Sequence, residues 1–378
     1  MKQLVRRAAA LLALAGVQTL TLAQDVPVIG IVELSGAGAT AGTNFNNGIK
    51  LAVREINAAG GLAGRKIDYS AVDTQTNPGV AKALAAKAVD QGVPLVMGPV
   101  YSGSILVSMA ETRRAEIPNI IGGEAAAITQ QGNPYVFRTA FTQAAALPKG
   151  VRYINETLKA KSVALIYVNN DFGKGGRDVM VKALEAAGIK LVADISTEQG
   201  QVDFSSAVLK AKQSQADALF LYSNEEETAR ALKELRKQGY DKPIVGDSTL
   251  ANDKVIELAG EAANGVVAHV GLTPDAPNAP VQAFAQKYLA EYKVKADHNA
   301  MKGYTGMHTA KAIFDKIGKI DSKAFAAALH GASISARDYP GMLFDARFDD
   351  QGDLDRESFI VKVVNGRAQV VQTLKPAK

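Results

Sequence analysis

The feature that most constrains the fold of this chain is a regular alternation of short apolar runs with amphipathic stretches. Residues 26–34, rich in Val and Ile, are typical of a buried strand. Residues 44–57 follow, with apolar side chains such as Ile49 and Ile56 on one helical face. The alternation continues through runs at 66–73, 78–90, 94–97, 102–115 and 119–121. This β-α-β rhythm predicts a parallel sheet with helices on both faces, and ligands beyond the carboxyl ends of its strands.

The alternation restarts beyond residue 160 and predicts a second lobe of the same kind. Its runs lie at 163–167, 175–187, 190–195, 204–213, 218–221, 225–238, 243–246 and 265–270. The tail has too few elements for a third domain: helices at 280–292, 299–317 and 322–329 precede strand-like runs at 342–344, 358–364 and 369–374. At roughly 150 residues per domain, the chain length also favours two lobes. The predicted fold class is α/β, with two Rossmann-like lobes joined by a multi-strand hinge.

A tail that is shared between two lobes requires the chain to cross between them several times. We predict crossings near residues 138–142, 270–273 and 344–352. Lobe 1 is then formed by residues 24–142 and 272–345, and lobe 2 by residues 143–271 and 346–378. Several crossings make a hinge that permits closure of the lobes and limits other motions.

The N-terminus has the pattern of a secretory signal peptide. Three basic residues within the first seven precede an apolar core at 8–17, and Thr21 and Ala23 supply the small residues that signal peptidase requires. We therefore predict that residues 1–23 are a signal peptide, that cleavage occurs before Gln24, and that the mature protein is periplasmic. The apolar core is much shorter than the roughly 20 residues of a membrane-spanning helix, so no membrane anchor is predicted.

Charge and composition exclude several classes of partner. The formal net charge is +5, but three of these positive charges lie in residues 1–23, which contain no Asp or Glu, so the rest of the chain carries +2. Such a balance predicts no nucleic-acid partner. The chain contains no Cys, which excludes disulfides and thiolate metal sites. We expect neither a metal nor a cofactor.

Signals for an enzyme are weak. Residues 36–42 have the spacing G-x-G-x-x-x-G, in which the third Gly comes one position too late for a dinucleotide fingerprint, so we favour a mobile loop at a ligand cleft. No hydrolase motif is present, and the four His residues are scattered. Glu225, Glu226 and Glu227 follow Asn224 in a pattern typical of a helix N-terminus. We therefore predict that the protein is not an enzyme, although a triad formed only in space stays open.

One segment points to ligand chemistry. Residues 98–104, Gly-Pro-Val-Tyr-Ser-Gly-Ser, end a predicted strand and open a helix. Backbone N–H groups and two hydroxyls would meet there at the positive end of the helix dipole, which predicts a cradle for a carboxylate. Simple N-capping by Ser102 is the alternative interpretation.

A set of short motifs, in order along the chain, resembles a known family. The motifs are Asn47-Gly48, residues 52–61 (AVREINAAGG), residues 64–66 (GRK), Asp73, Pro78, residues 97–99 (MGP), residues 128–134 (ITQQGNP), residues 137–139 (FRT), residues 171–173 (DFG), residues 203–205 (DFS), residues 236–240 (RKQGY) and Gly303-Tyr304. Together they look like the type I periplasmic solute-binding proteins of ABC importers, in the branched-chain amino acid (leucine/isoleucine/valine) binding subclass. The resemblance implies two Rossmann-like lobes that close around a ligand, which a membrane permease then receives.

The resemblance also implies roles for single residues. Ser102 matches the serine that receives the ligand carboxylate, and Phe172 matches an aromatic residue of the second lobe that covers the ligand. Asp247 lies at or beside the family's acidic partner for the ligand ammonium, with a helix N-cap for Asn252 onward or a loop-closing Asx turn as the alternatives. Glu124 stands near a position usually held by a small hydroxyl residue. In the glycine-rich first loop, Ala41 stands where the amino-acid binders of the family commonly have an aromatic residue.

These arguments lead to a candidate site and a predicted function. The candidate ligand-binding residues are Ser102, Tyr101, Gly122, Glu124, Phe172, Asn224 and Asp247. The predicted function is the extracytoplasmic solute-binding component of an ABC importer, which captures a small polar solute, an amino acid or a related compound, and partners a permease and an ATPase. A binding protein for an aromatic acid or amide, and a ligand-sensing partner of a signalling receptor, are the alternatives.

Overall fold

Two large sheets form the framework of the protein in a computed structural model, which describes residues 24–376. The predicted signal peptide, residues 1–23, lies outside the described residues. The strands are β1 (Val26–Val32), β2 (Ile67–Asp73), β3 (Leu95–Met97), β4 (Asn119–Ile121), β5 (Val136–Arg138), β6 (Ser162–Val168), β7 (Lys190–Thr197), β8 (Ala218–Tyr222), β9 (Ile244–Gly246), β10 (Val267–Val270), β11 (Ser333–Ile334), β12 (Ala346–Phe348), β13 (Leu354–Asp355), β14 (Ser358–Val364) and β15 (Arg367–Leu374).

The helices alternate with these strands. They are α1 (Ala39–Ala58), α2 (Pro78–Asp90), α3 (Ser102–Arg114), α4 (Gln143–Glu156), α5 (Asp171–Ala186), α6 (Ser205–Gln213), α7 (Glu225–Lys237), α8 (Asp253–Ala259), α9 (Ala279–Tyr292), α10 (His298–Ile317) and α11 (Ser322–Leu329). None of the helices in the described part of the chain is long and apolar enough to cross a membrane.

Both lobes are built on the same strand order. The sheet of the first lobe runs β2-β1-β3-β4-β5, all parallel. The second sheet contains β7-β6-β8-β9-β10, also parallel, and adds the antiparallel strands β14 and β15 at its edge. In such sheets ligands bind where the order of strands reverses, between β1 and β3 in lobe 1 and between β6 and β8 in lobe 2. The predicted α/β fold with two Rossmann-like lobes is confirmed.

The glycine-rich segment 36–42 is more helical than predicted. Only residues 36–38 form a short turn, and α1 begins at Ala39, five residues before the predicted start. Gly42 explains the early start, because a Cβ at this position would lie 2.0 Å from the carbonyl oxygen of Glu33. The missing side chain lets the first turn of α1 pack directly on the end of β1.

Two glycines of the family-like motifs have a packing role. Helices α1 and α10 lie against each other, and a Cβ at Gly48 would lie 1.9 Å from the carbonyl oxygen of Ala300. A Cβ at Gly303 would lie 2.0 Å from the carbonyl oxygen of Phe45. The two glycines therefore allow the helix backbones to approach closely, which brings the N-terminal turn of α10 to the cleft.

Three crossings join the lobes. The chain passes from β5 to α4 over residues 139–142, from β10 to α9 over residues 271–278, and from β13 to β14 over residues 356–357. The lobe boundaries at 142/143, 271/272 and 345/346 stay predictions. Beyond the predicted boundary at 345/346, the carbonyl oxygen of Gly352 accepts a hydrogen bond from the N–H group of Arg138 (3.0 Å), so the segment that contains Gly352 is tied to β5 of lobe 1. We therefore propose that lobe 1 continues to about β13.

One predicted strand is absent from the structure, and one helix was missed. Residues 342–344 were predicted as a strand. Met342 instead ends a short helical turn, Pro340–Met342, and Leu343 after it has a positive φ of 63°, which a strand does not allow. Helix α4 was not predicted at all. Pro148 lies inside it and disguises its helical pattern.

Candidate functional site

A cavity lies between the two lobes, at the carboxyl ends of both sheets. It contains about 420 Å³ of space that no atom fills, part of it open to solvent. Its lining residues are Ala41, Val100, Tyr101, Ser102, Gly122, Gly123, Glu124, Phe172, Asn224, Glu225, Thr249, His298, Asn299 and Lys302. They follow β1, β3 and β4 in one lobe and β6, β8 and β9 in the other, or begin α10. The cavity is therefore at the strand-order reversal of both sheets.

Six of the seven predicted site residues line this cavity. They are Ser102, Tyr101, Gly122, Glu124, Phe172 and Asn224. These residues belong to separate turns of two lobes, so the structure brings together side chains that are far apart in sequence. Their roles in ligand binding stay predictions.

Part of the predicted anion cradle, the backbone just before α3, is bonded by a carboxylate of the protein itself. The buried Glu33 side chain accepts hydrogen bonds from the N–H groups of Val100 and Tyr101, both at 3.1 Å. Burial raises the pKa of Glu33 to about 7. Ser102 is still available, because its Oγ accepts a bond from the Ala125 N–H (3.3 Å) and keeps its own proton for a ligand.

Two residues that line the cavity, Lys302 and Glu124, form an ion pair with each other. Lys302 Nζ lies 2.7 Å from Glu124 Oε1, and the two side chains are only 6% and 14% exposed. Lys302 thereby balances the charge of a carboxylate that lines the cavity. Burial, and next the charge of Lys302, lower the pKa of the neighbouring His298 well below its usual value, so that its ring is neutral.

The second lobe contributes a buried carboxyl group. Glu225, at the start of α7, accepts a hydrogen bond of 3.2 Å from Asn299 Nδ2 of α10. This bond joins the two lobes across the cavity. Burial raises the pKa of Glu225 to about 7. Asn224 is the N-cap residue, as predicted, but its side chain donates to Glu227 Oε1 (3.3 Å) and makes no capping bond.

An aromatic pair forms the wall of the cavity in lobe 2. Phe172, in the first turn of α5, stacks on Tyr222 with ring centroids 4.3 Å apart and an interplanar angle of 23°. Gln143 Nε2 donates both to the hydroxyl of Tyr222 (2.8 Å) and to the carbonyl oxygen of Phe172 (2.7 Å). This network fixes Phe172 at the cavity, where its ring can cover apolar parts of a ligand.

Asp247 is the predicted site residue that does not line this cavity. It lies in an adjoining cavity on the hinge side, which shares Glu124, His298 and Lys302 with the first. Its Oδ1 accepts a bond from the Thr249 N–H (3.1 Å), which is the Asx-turn arrangement. Burial, and next the charge of Glu124, raise the pKa of Asp247 well above its usual value.

One buried arginine holds the loop that follows β4. Arg138 is fully buried and forms an ion pair with Asp353. Its guanidinium also donates to the carbonyl oxygens of Gly123 (2.8 Å) and Ala125 (3.1 Å) and to Thr129 Oγ1 (2.9 Å). The fork of donors fixes the backbone that places Gly122, Gly123 and Glu124 at the cavity.

The prediction from sequence missed several lining residues. Glu225 was interpreted only as part of a helix N-terminus, and His298 and Lys302 were not proposed. Lys302 was the most detectable of them, because its neighbours in residues 300–307 of α10 are all uncharged, and a charged residue in such a context is buried only when it is paired. Within residues 24–376, no cluster of His, Asp or Glu is arranged to hold a metal ion.

Comparisons with known proteins agree with this geometry. A Leu/Ile/Val-binding protein of Rhizobium johnstonii is 27% identical over 337 residues, which cover 89% of this chain and 90% of that protein. A leucine-, isoleucine-, valine-, threonine- and alanine-binding protein of Pseudomonas aeruginosa is 25% identical over 366 residues, with 95% of each chain covered.

Solved structures show the same fold. The branched-chain amino acid transporter substrate binding protein LivJ of Streptococcus pneumoniae, in complex with isoleucine, matches with a TM-score of 0.83 and 26% identity, over 93% of this chain and 100% of that one. A solute binding protein of an R. palustris ABC transporter, in complex with benzoate, matches with a TM-score of 0.84 and 23% identity, over 94% and 98%. The family model described as periplasmic binding protein matches residues 26–368. The chain therefore belongs to the periplasmic binding protein family, whose members bind solutes and are not enzymes.

Proposed function

We propose that this protein is the extracytoplasmic solute-binding component of an ABC importer. It captures a small polar solute, an amino acid or a related compound, between its lobes and delivers it to a membrane permease with its ATPase. The observation that supports this proposal is the polar cavity lined by turns of both lobes. The names of the relatives, which are Leu/Ile/Val-binding proteins, agree with a solute of amino-acid size.

The mechanism follows from the placement of the lining residues on two lobes. Ser102 and Lys302 belong to lobe 1, whereas Phe172 and Glu225 belong to lobe 2, so a solute can contact all of them only when the lobes are closed. Because the solute gains these contacts only in the closed form, its binding shifts the equilibrium towards closure. The three crossings of the hinge allow this motion.

A ligand screen tests the proposed function. Thermal unfolding of the mature protein would be measured with amino acids, amides and aromatic acids, because a ligand at 100 times its Kd stabilises a protein by about 2.7 kcal/mol. We expect at least one of these solutes to raise the midpoint of unfolding. If no solute in any of the three groups does so, the proposed solute class is wrong.

Ser102 gives the first site-specific prediction. Ser102→Ala should weaken binding of the selected solute by about 1–3 kcal/mol, the range for a hydrogen bond to a charged group, without unfolding the protein. Calorimetry would measure the affinity. Ser108→Ala is the matched control, because Ser108 is a buried serine of the same helix whose Oγ donates within the helix to the Ile105 carbonyl oxygen. Equal affinities of the two variants would remove Ser102 from the site.

A further inference from the structure

We infer that Asn252 and Asp297 form a latch between the lobes, which stabilises the closed form by the same amount for every solute and does not touch the solute itself. The inference rests on the proposed function and goes beyond it, because it identifies residues that set the affinity of capture from outside the solute cavity. Neither residue lines that cavity.

The two residues stand at the N-termini of helices from opposite lobes. Asn252 is the N-cap residue of α8 in lobe 2, and its Oδ1 accepts a hydrogen bond from the Lys254 N–H (2.8 Å). Asp297 is the N-cap residue of α10 in lobe 1, and its Oδ1 accepts a hydrogen bond from the Ala300 N–H (2.8 Å). Each side chain is therefore held in position by its own helix.

The remaining polar atoms of the two side chains bind each other across the lobes. Asn252 Nδ2 donates to Asp297 Oδ2 over 2.9 Å, and both residues are buried. A hydrogen bond to a carboxylate is roughly twice as strong as one between neutral groups. Because the donor belongs to lobe 2 and the acceptor to lobe 1, the bond exists only when the lobes are closed.

A second donor keeps Asp297 ready for closure. Asn44 Nδ2 of α1, in lobe 1, also donates to Asp297 Oδ2 over 2.9 Å. This bond lies within one lobe and is kept when the lobes separate, whereas the bond from Asn252 is lost. The carboxylate is thus oriented in advance, and closure adds one donor to it.

The latch is joined to the solute cavity through α10. Asp297 caps the helix whose next residues, His298 and Asn299, line the cavity. Asn299 itself bonds across the lobes to Glu225 (3.2 Å). The same movement therefore forms the latch and the contacts with the solute. Only the contacts can discriminate between solutes, whereas the latch favours closure around any of them.

Replacement by serine tests the latch, because serine keeps a helix N-cap and is too short to bridge the lobes. Asn252→Ser and Asp297→Ser should each weaken binding about tenfold, as expected for the loss of a hydrogen bond to a charged group. The factor should be the same for the two solutes that give the largest thermal shifts. Calorimetry would measure the affinities, and stopped-flow mixing should show faster release with little change in association.

A double variant and a matched control separate the latch from general damage. Asn252→Ser combined with Asp297→Ser should lose no more affinity than either single variant, because all three lack the same bond. Asn133→Ser is the control. Asn133 is equally buried, its Oδ1 accepts a bond from the Tyr135 N–H (3.0 Å), and its Nδ2 donates to the Met109 carbonyl oxygen (3.2 Å), all within lobe 1. It should bind solutes as the wild type does, and urea unfolding would verify that each variant is folded.

The outcomes separate this inference from the proposed function. Unchanged affinity of folded Asn252→Ser, or a loss that differs between the two solutes, would overturn the latch and leave the receptor function intact. Losses that add in the double variant would also overturn it, since the two residues would then act separately. If no solute binds at all, the proposed function fails in its solute class and the inference fails with it.

Discussion

Replacement of Arg138 by Met is expected to lower the free energy of unfolding by about 3–5 kcal/mol, the cost of breaking a buried ion pair on one side. The fully buried guanidinium bonds to Asp353 and to two backbone carbonyl groups of the cavity loop. Met has a similar length but no donors, so the carboxylate and the carbonyl groups would lose their partner. Urea unfolding of the mature protein would measure the change.

A surface arginine supplies the control for this prediction. Arg177 forms ion pairs with Asp178 and Asp194, but its side chain is 36% exposed. Arg177→Met should therefore cost at most about 1 kcal/mol. The account of the cavity loop would be contradicted by a loss for Arg138→Met that is no larger than the loss for Arg177→Met. Weakened solute binding by Arg138→Met at low temperature, where the variant is folded, would add support.

Lys302→Met is expected to destabilise the protein by about 3 kcal/mol or more. The substitution leaves the Glu124 carboxylate, 14% exposed, without its cation. Replacement of both partners is different, because Lys302→Met combined with Glu124→Gln leaves no uncompensated charge. The double variant should therefore recover most of the stability, which is a favourable coupling energy in a double-mutant cycle.

The control for this cycle lies on the same helix. Lys311 forms an ion pair with Asp315 one turn away, and both side chains are more exposed than those of the buried pair. Lys311→Met should cost at most about 1 kcal/mol. Strict additivity of the Lys302 and Glu124 substitutions, with no recovery in the double variant, would show that the pair is not coupled as the structure indicates.

The alternation of apolar runs was sufficient to predict both sheets, and that the cavity lies at the carboxyl ends of their strands. That pattern depends on burial, which the side chains encode directly. Helix boundaries that depend on close contact between two backbone segments were harder to predict from the sequence. The early start of α1 depends on the contact of Gly42 with the end of β1, and the sequence shows only a glycine, which is compatible with a loop as well as with a packed helix.

The candidate site was predictable where a residue follows a strand of known order. Ser102, Phe172 and Asn224 lie beyond β3, β6 and β8, and all three line the cavity. Partners brought in by tertiary packing were not predictable. Glu33 accepts bonds from two backbone N–H groups just before α3, within the segment that was expected to bind the ligand, and Lys302 reaches Glu124 from 178 residues further along the chain.

The central claim is that a solute is captured between the two lobes, and a distance between the lobes tests it most directly. The chain has no Cys, so spin labels can be placed specifically at Val107→Cys in α3 and Val202→Cys before α6, both at exposed positions of opposite lobes. Pulsed dipolar spectroscopy would compare the distance distribution with and without the solute selected by the thermal screen. We expect the solute to shift the distribution towards the shorter distance of the closed form. A solute that binds at one site per chain and leaves the distribution unchanged would contradict capture by closure of the lobes.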